Sequence, residues 1–177
     1  MATTSYLFAG FGGQGILFAG KLLAYKGLME DKQLSWLPSY GPEMRGGTAS
    51  CGVVIGDTPV GSPIVSNPDV LVVMNLPSLD RYEDAVVPGG TIYMDSSLIE
   101  RKVKRTDVNV IEIPATRLAG ENDIPTLANM IIMGKLFATQ GEYPSEYVQA
   151  ALSKVISARH ADKLGINQKA LDIGAGY

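Results

Sequence analysis

The stretch LFAGFGGQGI, residues 7–16, decides the fold of this chain. It continues a short apolar run, Tyr6 to Ala9, that is typical of a buried strand. Apolar residues recur at helical spacing from Gln14 to Gly27, with Lys21 and Lys26 on the other side, which predicts a helix after the turn. Strand, glycine turn and helix together form the opening of a βαβ unit. The turn has the spacing G-x-G-x-x-G, formed by Gly10, Gly12 and Gly15.

The rest of the chain continues this alternation. Segment 38–47, PSYGPEMRGG, is rich in proline and glycine and predicts neither helix nor regular strand. Because strands are predicted on both sides of it, we expect an antiparallel β-loop-β insertion. Further strands are predicted at 34–37, 48–55, 70–74, 91–94 and 108–113, and helices at 78–87, 125–141, 145–158 (with Ser145 as its N-cap) and 167–173. Residues 1–177 are thus predicted to be a single α/β domain, Rossmann-like, with a mostly parallel sheet and a helical C-terminal part.

Composition excludes several classes of function. The net charge of −3 argues against a nucleic-acid partner, which would need a clustered basic face. Cys51 is the only cysteine and His160 the only histidine, so no cysteine-ligated iron–sulfur or zinc site can be built from this chain alone, and we predict no metal site. Cys51 lies in an apolar run and is interpreted as a core residue rather than as the nucleophile of a Cys–His pair.

The N-terminus shows no pattern of a signal peptide, and no apolar run reaches the roughly 20 residues that span a bilayer. We therefore expect a cytoplasmic protein without a membrane partner. The densest basic stretch, Arg101 to Arg105, is interpreted as a solvated loop between two strands. A docking patch for an acidic partner is the alternative.

The glycine turn allows three interpretations: a dinucleotide site, a loop that binds another phosphate group or a partner's backbone, and a structural turn. A classical NAD or FAD site also needs an acidic residue about 20 positions on, at the end of the second strand. That strand ends at Leu37, while Glu30 and Asp31 precede it, so the dinucleotide interpretation is disfavoured. A Walker phosphate loop is excluded, because no Gly-Lys-Ser/Thr follows. The remaining interpretations are a structural turn and a loop that binds another phosphate group or a partner's backbone.

The loop that follows the second strand holds the next candidate residues. Segment 39–47 places an acid and a base within three residues, between glycines that allow close approach. Ligands collect at the carboxyl ends of strands in doubly wound sheets, so this loop and the glycine turn are expected to be neighbours. The alternative is an ordered loop with a local ion pair, which contributes little if exposed. The candidate residues are Tyr40, Glu43 and Arg45.

Taken together, these motifs resemble those of a known family. FGGQG at 11–15, SYGPEMRGG at 39–47 and TASC at 48–51 look like the gamma subunit of the 2-oxoacid:ferredoxin (acceptor) oxidoreductases. The likeness spans the whole chain, through SNPDVLVVMN at 66–75 and PGGTIYMDSS at 88–97. The motif wording is closest to the 2-oxoglutarate and branched-chain members.

The resemblance implies a function for the complex. The complete enzyme would convert a 2-oxoacid and coenzyme A to an acyl-CoA and carbon dioxide and pass electrons to ferredoxin. Thiamine diphosphate, magnesium and iron–sulfur clusters would be held mainly by alpha, beta and ferredoxin-like delta subunits. This chain would hold no tightly bound cofactor and no catalytic residue, and would be inactive without these partners. Which 2-oxoacid is used, and in what stoichiometry the subunits assemble, does not follow from the motifs.

Two hypotheses follow for the site. In the first, the chain forms assembly surface and part of the coenzyme A site, whose phosphates meet backbone groups at Gly12 to Gly15 and the cation Arg45. In the second, the chain is a free-standing Rossmann-like nucleotide-binding protein, which would bind NAD or FAD when purified alone. The predicted cofactor-binding residues are Gly10, Gly12, Gly13, Gln14, Gly15, Tyr40, Glu43 and Arg45.

Overall fold

A computed structural model describes residues 3–39 and 48–177 of the chain. Within these residues one sheet contains the strands β1 (Thr4–Phe11), β2 (Gln33–Ser39), β3 (Thr48–Gly56), β4 (Val70–Val73), β5 (Thr91–Asp95) and β6 (Asn109–Ile113). The α-helices are α1 (Ile16–Met29), α2 (Leu76–Tyr82), α3 (Ala115–Glu121), α4 (Ala128–Thr139), α5 (Glu146–Val155) and α6 (Leu164–Gly176). Short 3₁₀ helices cover Glu83–Ala85 and Ala158–Lys163.

The sheet has the strand order β2-β3-β1-β4-β5-β6. β1, β4, β5 and β6 pair in parallel, whereas β3 is antiparallel to both β1 and β2. The mostly parallel sheet and the β-loop-β insertion are thereby confirmed. The chain leaves β1 toward β2 and leaves β4 toward β5, so the order reverses between β1 and β4. Open α/β sheets bind ligands at such a switch point, at the carboxyl ends of the strands.

Helices cover both faces of the sheet. Successive β1 side chains alternate between the two cores, since Tyr6 and Phe8 belong to one and Leu7 and Ala9 to the other. The larger core contains buried residues of α1, α3, α4, α5 and α6, and the smaller one includes Leu79 of α2. The central strand β4 is buried along its whole length, as its continuous apolar sequence predicts.

Helix α1 packs tightly on the sheet at Gly20. A Cβ atom at this position would lie 2.4 Å from the Cys51 Sγ atom of β3. Cys51 is fully buried, as predicted, and its sulfur accepts a hydrogen bond from Trp36 Nε1 at 2.8 Å. Burial raises the pKa of the Cys51 thiol to about 12, so this cysteine is an inert packing residue.

Several expectations about element boundaries were wrong. Pro38 and Ser39 belong to β2 rather than to the loop. Proline is tolerated there because β2 is an edge strand, where an N–H is not needed for pairing. Pro125 precedes α4 by a turn, since that helix begins at Ala128. The last helix is longer than 167–173, whereas the predicted Ser145 cap of α5 is confirmed.

Lys26 does not lie on a solvated face of α1. It is 3% exposed, and its ammonium group contacts Glu30 Oε2 at 3.1 Å and Glu142 Oε2 at 2.6 Å. The helical spacing of α1 places this lysine opposite the apolar residues. Its partner Glu142 comes from the segment after α4, so the pattern of α1 alone could not predict its burial. A buried lysine is tolerated because two carboxylates pair with it.

The basic stretch 101–105 is likewise not a freely solvated loop. Arg101 Nη2 donates to Asp80 Oδ1 and to Glu83 Oε2, each at 2.7 Å. The backbone N–H of Lys104 also donates to the Glu83 carboxylate, and Arg105 Nη1 donates to the Val86 carbonyl oxygen at 2.8 Å. These contacts fasten the stretch onto the end of α2.

The close contact between Gly20 of α1 and Cys51 of β3 predicts that substitutions at these positions have non-additive effects on the free energy of unfolding. Gly20→Ala adds a methyl group against the Cys51 sulfur, so we expect it to destabilise the fold by about 1–3 kcal/mol despite the better helix propensity of alanine. In Gly20→Ala/Cys51→Ala the sulfur is gone and the methyl group fits. Urea denaturation of both single variants and the double variant should show a favourable coupling of about 1–2 kcal/mol. Additive effects would contradict the close contact.

Glu83 provides a test of pH dependence. Burial alone would raise the pKa of its carboxyl, but hydrogen bonds from Arg101 and from the Lys104 backbone outweigh it and hold the pKa below the ordinary 4.5. The stabilisation is therefore complete above pH 4.5 and is lost as the pH falls through the lower folded pKa. Glu83→Gln should lower the unfolding free energy at pH 7 by roughly 1–3 kcal/mol. Its acid-denaturation profile should also be flatter than that of the wild type, and an unchanged profile would contradict this role.

Candidate functional site

The glycine turn lies between the carboxyl end of β1 and the first turn of α1. Gly13 has φ +90° and Gly15 has φ +75°, a left-handed conformation that favours glycine. Gly15 is the N-cap of α1, with no side-chain cap. A Cβ atom at Gly15 would lie 2.3 Å from Asn129 Nδ2, which donates to the Gly15 carbonyl oxygen at 3.1 Å. The third glycine of the motif thus lets the turn approach α4.

Gln14 braces the turn from inside. Its Oε1 atom accepts from the Phe11 N–H at 2.6 Å, and its Nε2 atom donates to the Met74 carbonyl oxygen at 3.0 Å. A Cβ atom at Gly10 would lie 2.6 Å from the same Oε1 atom. The first glycine therefore makes room for the glutamine, and the glutamine ties the end of β1 to the end of β4.

Several backbone N–H groups of the turn have no hydrogen-bond partner among the described residues. The N–H groups of Gly12, Gly13, Gly15 and the first three residues of α1 make no hydrogen bond to residues within 3–39 or 48–177. At the start of α4, the N–H groups of Ala128 and Asn129 likewise have no partner in those ranges. Free N–H groups at two helix starts, together with the helix dipoles, favour an anion.

Two cavities adjoin the turn on the side of the C-terminal helices. One, of about 190 Å³, lies beside Gly13, Gln14 and Met74 and extends to Thr116 and Thr126. The other, of about 350 Å³, is lined by Gly15, Phe18, Thr126, Leu127, Asn129, Val155, Ile156, Ser157, His160, Lys163 and Asn167. These lining residues include two that can carry positive charge and none that is acidic.

The structure brings together one part of the predicted site. Gly12, Gly13, Gln14 and Gly15 form a single turn at the switch point, and Gly10 lies beside it near the end of β1. The other predicted residues, Tyr40, Glu43 and Arg45, lie outside the described residues.

The described ends of the β-loop-β insertion lie at the same edge of the sheet as the glycine turn. Thr48 pairs with Phe11, and Ser39 pairs with Ser50. The chain therefore leaves β2 and enters β3 at the edge where β1 ends, as the sequence predicted for these strand ends.

Sequence reasoning missed the residues of the larger cavity. Thr126, Asn129, His160 and Lys163 come from the start of α4 and from the 3₁₀ segment before α6, which are far apart in the chain. His160 does not pair with Cys51, which is buried under α1. An isolated histidine and lysine in a helical tail give no sequence signal, because only the tertiary fold places them together.

The topology also explains the missing acidic residue. In a dinucleotide site the acid ends a parallel strand beside β1. Here the neighbour on that side is the antiparallel β3, which begins rather than ends next to Phe11. No carboxylate at the end of β2 could take the ribose-binding position of that fold, because β3 separates β2 from β1.

No helix in ranges 3–39 and 48–177 is long and apolar enough to cross a membrane. Within the same ranges, no group of three or more His, Cys, Asp or Glu residues could hold a metal ion.

Comparison with known proteins identifies the family. The profile of the pyruvate ferredoxin/flavodoxin oxidoreductase family matches residues 5–177. The chain belongs to this family. The predicted resemblance is thus confirmed, and the free-standing nucleotide-binding alternative is not favoured.

Relatives in this oxidoreductase family include 2-oxoglutarate synthase subunit KorC of Methanocaldococcus jannaschii. It is 37% identical over 147 residues, which cover 81% of this chain and 79% of KorC. Ketoisovalerate oxidoreductase subunit VorA of Methanothermobacter marburgensis is 40% identical over 171 residues, 96% of this chain. The chain spans only 35% of the length of that VorA subunit.

A solved family structure has the same fold over its whole length. It is the gamma subunit of a keto/oxoacid ferredoxin oxidoreductase from Geobacter sulfurreducens, with a TM-score of 0.81 and 26% sequence identity. The alignment covers 98% of this chain and 96% of that one.

The brace in the glycine turn predicts a measurable loss of stability. Gln14→Ala removes both hydrogen bonds, to Phe11 and to Met74, so we expect the unfolding free energy to fall by about 1–2 kcal/mol. Amide hydrogen exchange at Phe11 should become faster. Gln33→Ala, at an exposed position of β2, is the control and should change neither quantity. Equal effects of the two substitutions would contradict the bracing role.

Proposed function

We propose that this chain is the gamma subunit of a multisubunit 2-oxoacid:ferredoxin oxidoreductase. The complex converts a 2-oxoacid and coenzyme A to an acyl-CoA and carbon dioxide and passes the electrons to ferredoxin. Two observations support the proposal. The alignment with KorC covers most of both chains, and the gamma subunit from Geobacter sulfurreducens has a similar length and the same fold. Within the complex the chain contributes assembly surface and part of the coenzyme A site.

The observation that carries the coenzyme A assignment is the set of backbone N–H groups around Gly13 and Gly15 that have no partner in the described part of the chain. Coenzyme A carries a pyrophosphate and a 3′-phosphate, and free N–H groups at a helix start are suited to bind such groups. The antiparallel β3 removes the ribose-binding position of a classical dinucleotide site. A phosphate-binding turn without that position fits coenzyme A better than NAD. Arg45, outside the described residues, is the sequence-predicted cation.

The redox cofactors belong to other subunits in this proposal. A cubane cluster needs four thiolates, and the chain has one cysteine, Cys51, which is buried in its core. The described residues likewise offer no carboxylate cluster for a magnesium ion of thiamine diphosphate. The residues present therefore do not fit these groups. The alpha, beta and delta subunits are the proposed holders.

The part played by this chain is binding and orientation. The turn is held rigid by Gln14, so its donors need little rearrangement when an anion binds. A fixed pyrophosphate restricts where the flexible arm and its thiol can reach, which lowers the entropic cost of bringing the thiol to the acyl group.

A substitution at Gly13 tests the coenzyme A contact. A Cβ at Gly13 meets no atom of the described residues within 4 Å, and asparagine is among the residues that best tolerate positive φ. Gly13→Asn should fold and should place its side chain over the free N–H groups. In the assembled enzyme, with viologen or ferredoxin reduction as the readout, we expect the KM for coenzyme A to rise roughly tenfold or more while the KM for the 2-oxoacid is unchanged.

Gly89→Asn is the matched control. Gly89 has φ +81° and an equally open Cβ position, but it precedes β5 at the opposite edge of the sheet. It should leave both KM values unchanged. If the two variants behave alike, coenzyme A does not contact the turn. If the chain purifies without other subunits and turns over a substrate by itself, the gamma-subunit proposal is wrong.

A further inference from the structure

The side chain of Asn129 joins the first turn of α4 to the glycine turn. Its Nδ2 atom donates to the Gly15 carbonyl oxygen at 3.1 Å, and the same oxygen accepts the first helical bond of α1 from the Ala19 N–H at 3.0 Å. We infer that Asn129 is a positioning residue, which aims the Ile16 N–H at the phosphate that the glycine turn binds. This inference rests on the proposed function, in which that phosphate belongs to coenzyme A.

The carbonyl oxygen of Gly15 and the N–H of Ile16 belong to one peptide group. This peptide is trans and planar, so its C=O and N–H bonds point in opposite directions. The two hydrogen bonds to the carbonyl oxygen therefore also fix the direction of the N–H, which points out of the start of α1. The Ile16 N–H has no partner among the described residues, and Ile16 lines a cavity of about 340 Å³ together with Gly12 and Gly13. A phosphate in this cavity would meet a donor that is already aimed.

The start of α1 needs this support because it has no side-chain cap. Its N-cap is Gly15, which has φ +75° and no side chain to bond the first turn. Helix ends without such a bond fray. The support comes from a rigid part of the core, since Met130 and Ile131, which follow Asn129 in α4, are fully buried. Asn129 thus fastens the first turn of α1 to a helix that does not move with it.

The burial of Asn129 indicates a role other than stability. The residue is 5% exposed, and its Oδ1 atom has no partner among the described residues. A buried unpaired oxygen costs free energy that the hydrogen bond to Gly15 does not fully recover. An apolar side chain would avoid this cost. What the asparagine contributes instead is the direction of the Gly15 peptide.

Gln14 does not duplicate this contact. Its carboxamide joins the Phe11 N–H to the Met74 carbonyl oxygen, so it holds the place where the turn leaves β1. Asn129 holds the place where the turn enters α1. The two carboxamides therefore fix opposite ends of the glycine turn, and loss of one is not compensated by the other.

Asn129→Ala tests the inference in the assembled enzyme. Without the amide the Ile16 N–H must be ordered when the ligand binds, so the KM for coenzyme A should rise roughly fivefold or more, while kcat and the KM for the 2-oxoacid stay unchanged. The inhibition constant of inorganic pyrophosphate, measured as a competitor of coenzyme A, should rise in parallel, because this probe contains only the phosphates. Amide hydrogen exchange at Ile16 should become faster in the ligand-free variant, which a direct contact between Asn129 and the ligand would not cause.

Asn122→Ala is the matched control. Asn122 Nδ2 donates to the Leu118 carbonyl oxygen at 2.8 Å, so the substitution removes an amide-to-carbonyl hydrogen bond of the same kind. Asn122 follows the end of α3 and lines none of the three cavities that border the glycine turn. Urea denaturation should show that both variants fold. Asn122→Ala should leave the KM for coenzyme A and the inhibition by pyrophosphate unchanged.

Equal KM values for coenzyme A in the two variants would overturn the positioning role, as would unchanged hydrogen exchange at Ile16 in Asn129→Ala. Failure of the proposed function is distinguishable through Gly13→Asn. If Gly13→Asn raises the KM for coenzyme A and Asn129→Ala does not, only the positioning role is wrong. If neither substitution changes this KM, coenzyme A does not contact the turn, and its assignment to the turn is wrong as well.

Discussion

The pair of hydrogen bonds made by Gln14 is the constraint on which the site depends. One carboxamide joins the N–H of Phe11 to the carbonyl oxygen of Met74, so the ends of β1 and β4 and the turn between β1 and α1 are held as one unit. The side chain pairs with the Phe11 donor, whereas the N–H groups of Gly12, Gly13 and Gly15 have no partner within residues 3–39 and 48–177. A rigid turn with spare donors binds an anion at a lower entropic cost than a mobile one.

The antiparallel β-loop-β insertion removes one class of ligand site from this sheet. Inserting β3 between β1 and β2 removes the parallel neighbour whose end carries the ribose-binding acid in dinucleotide sites. The backbone donors of the glycine turn suit a phosphate whatever the neighbouring strand, because they belong to the turn itself. The same motif therefore has different neighbours in this sheet, with the antiparallel β3 on one side and the start of α4 on the other.

Local sequence patterns predicted the strands and helices but not the residues that line the cavity. Alternation and helical period located β1, α1, β4 and β5, because each buries its own apolar residues. The same period misplaced Lys26, whose partner Glu142 comes from a distant segment. His160 and Lys163 could not be predicted as cavity-lining residues for the same reason. Their place in the cavity depends on the packing of α6 beside α4, which no local pattern encodes.

The helices differ in how they begin, and besides α1 and α4, α6 also starts without a side-chain cap, at Lys163. α2 and α5 are capped by side chains of Asn75 and Ser145, and the N–H of Thr116 at the start of α3 donates to buried Asp95. α1 and α4 begin at Gly15 and Leu127 without such a cap. A missing cap costs roughly 1 kcal/mol of stability. The N–H groups at these two helix starts that have no partner among the described residues border three neighbouring cavities, so an anion that binds there would offset this cost and should stabilise the fold.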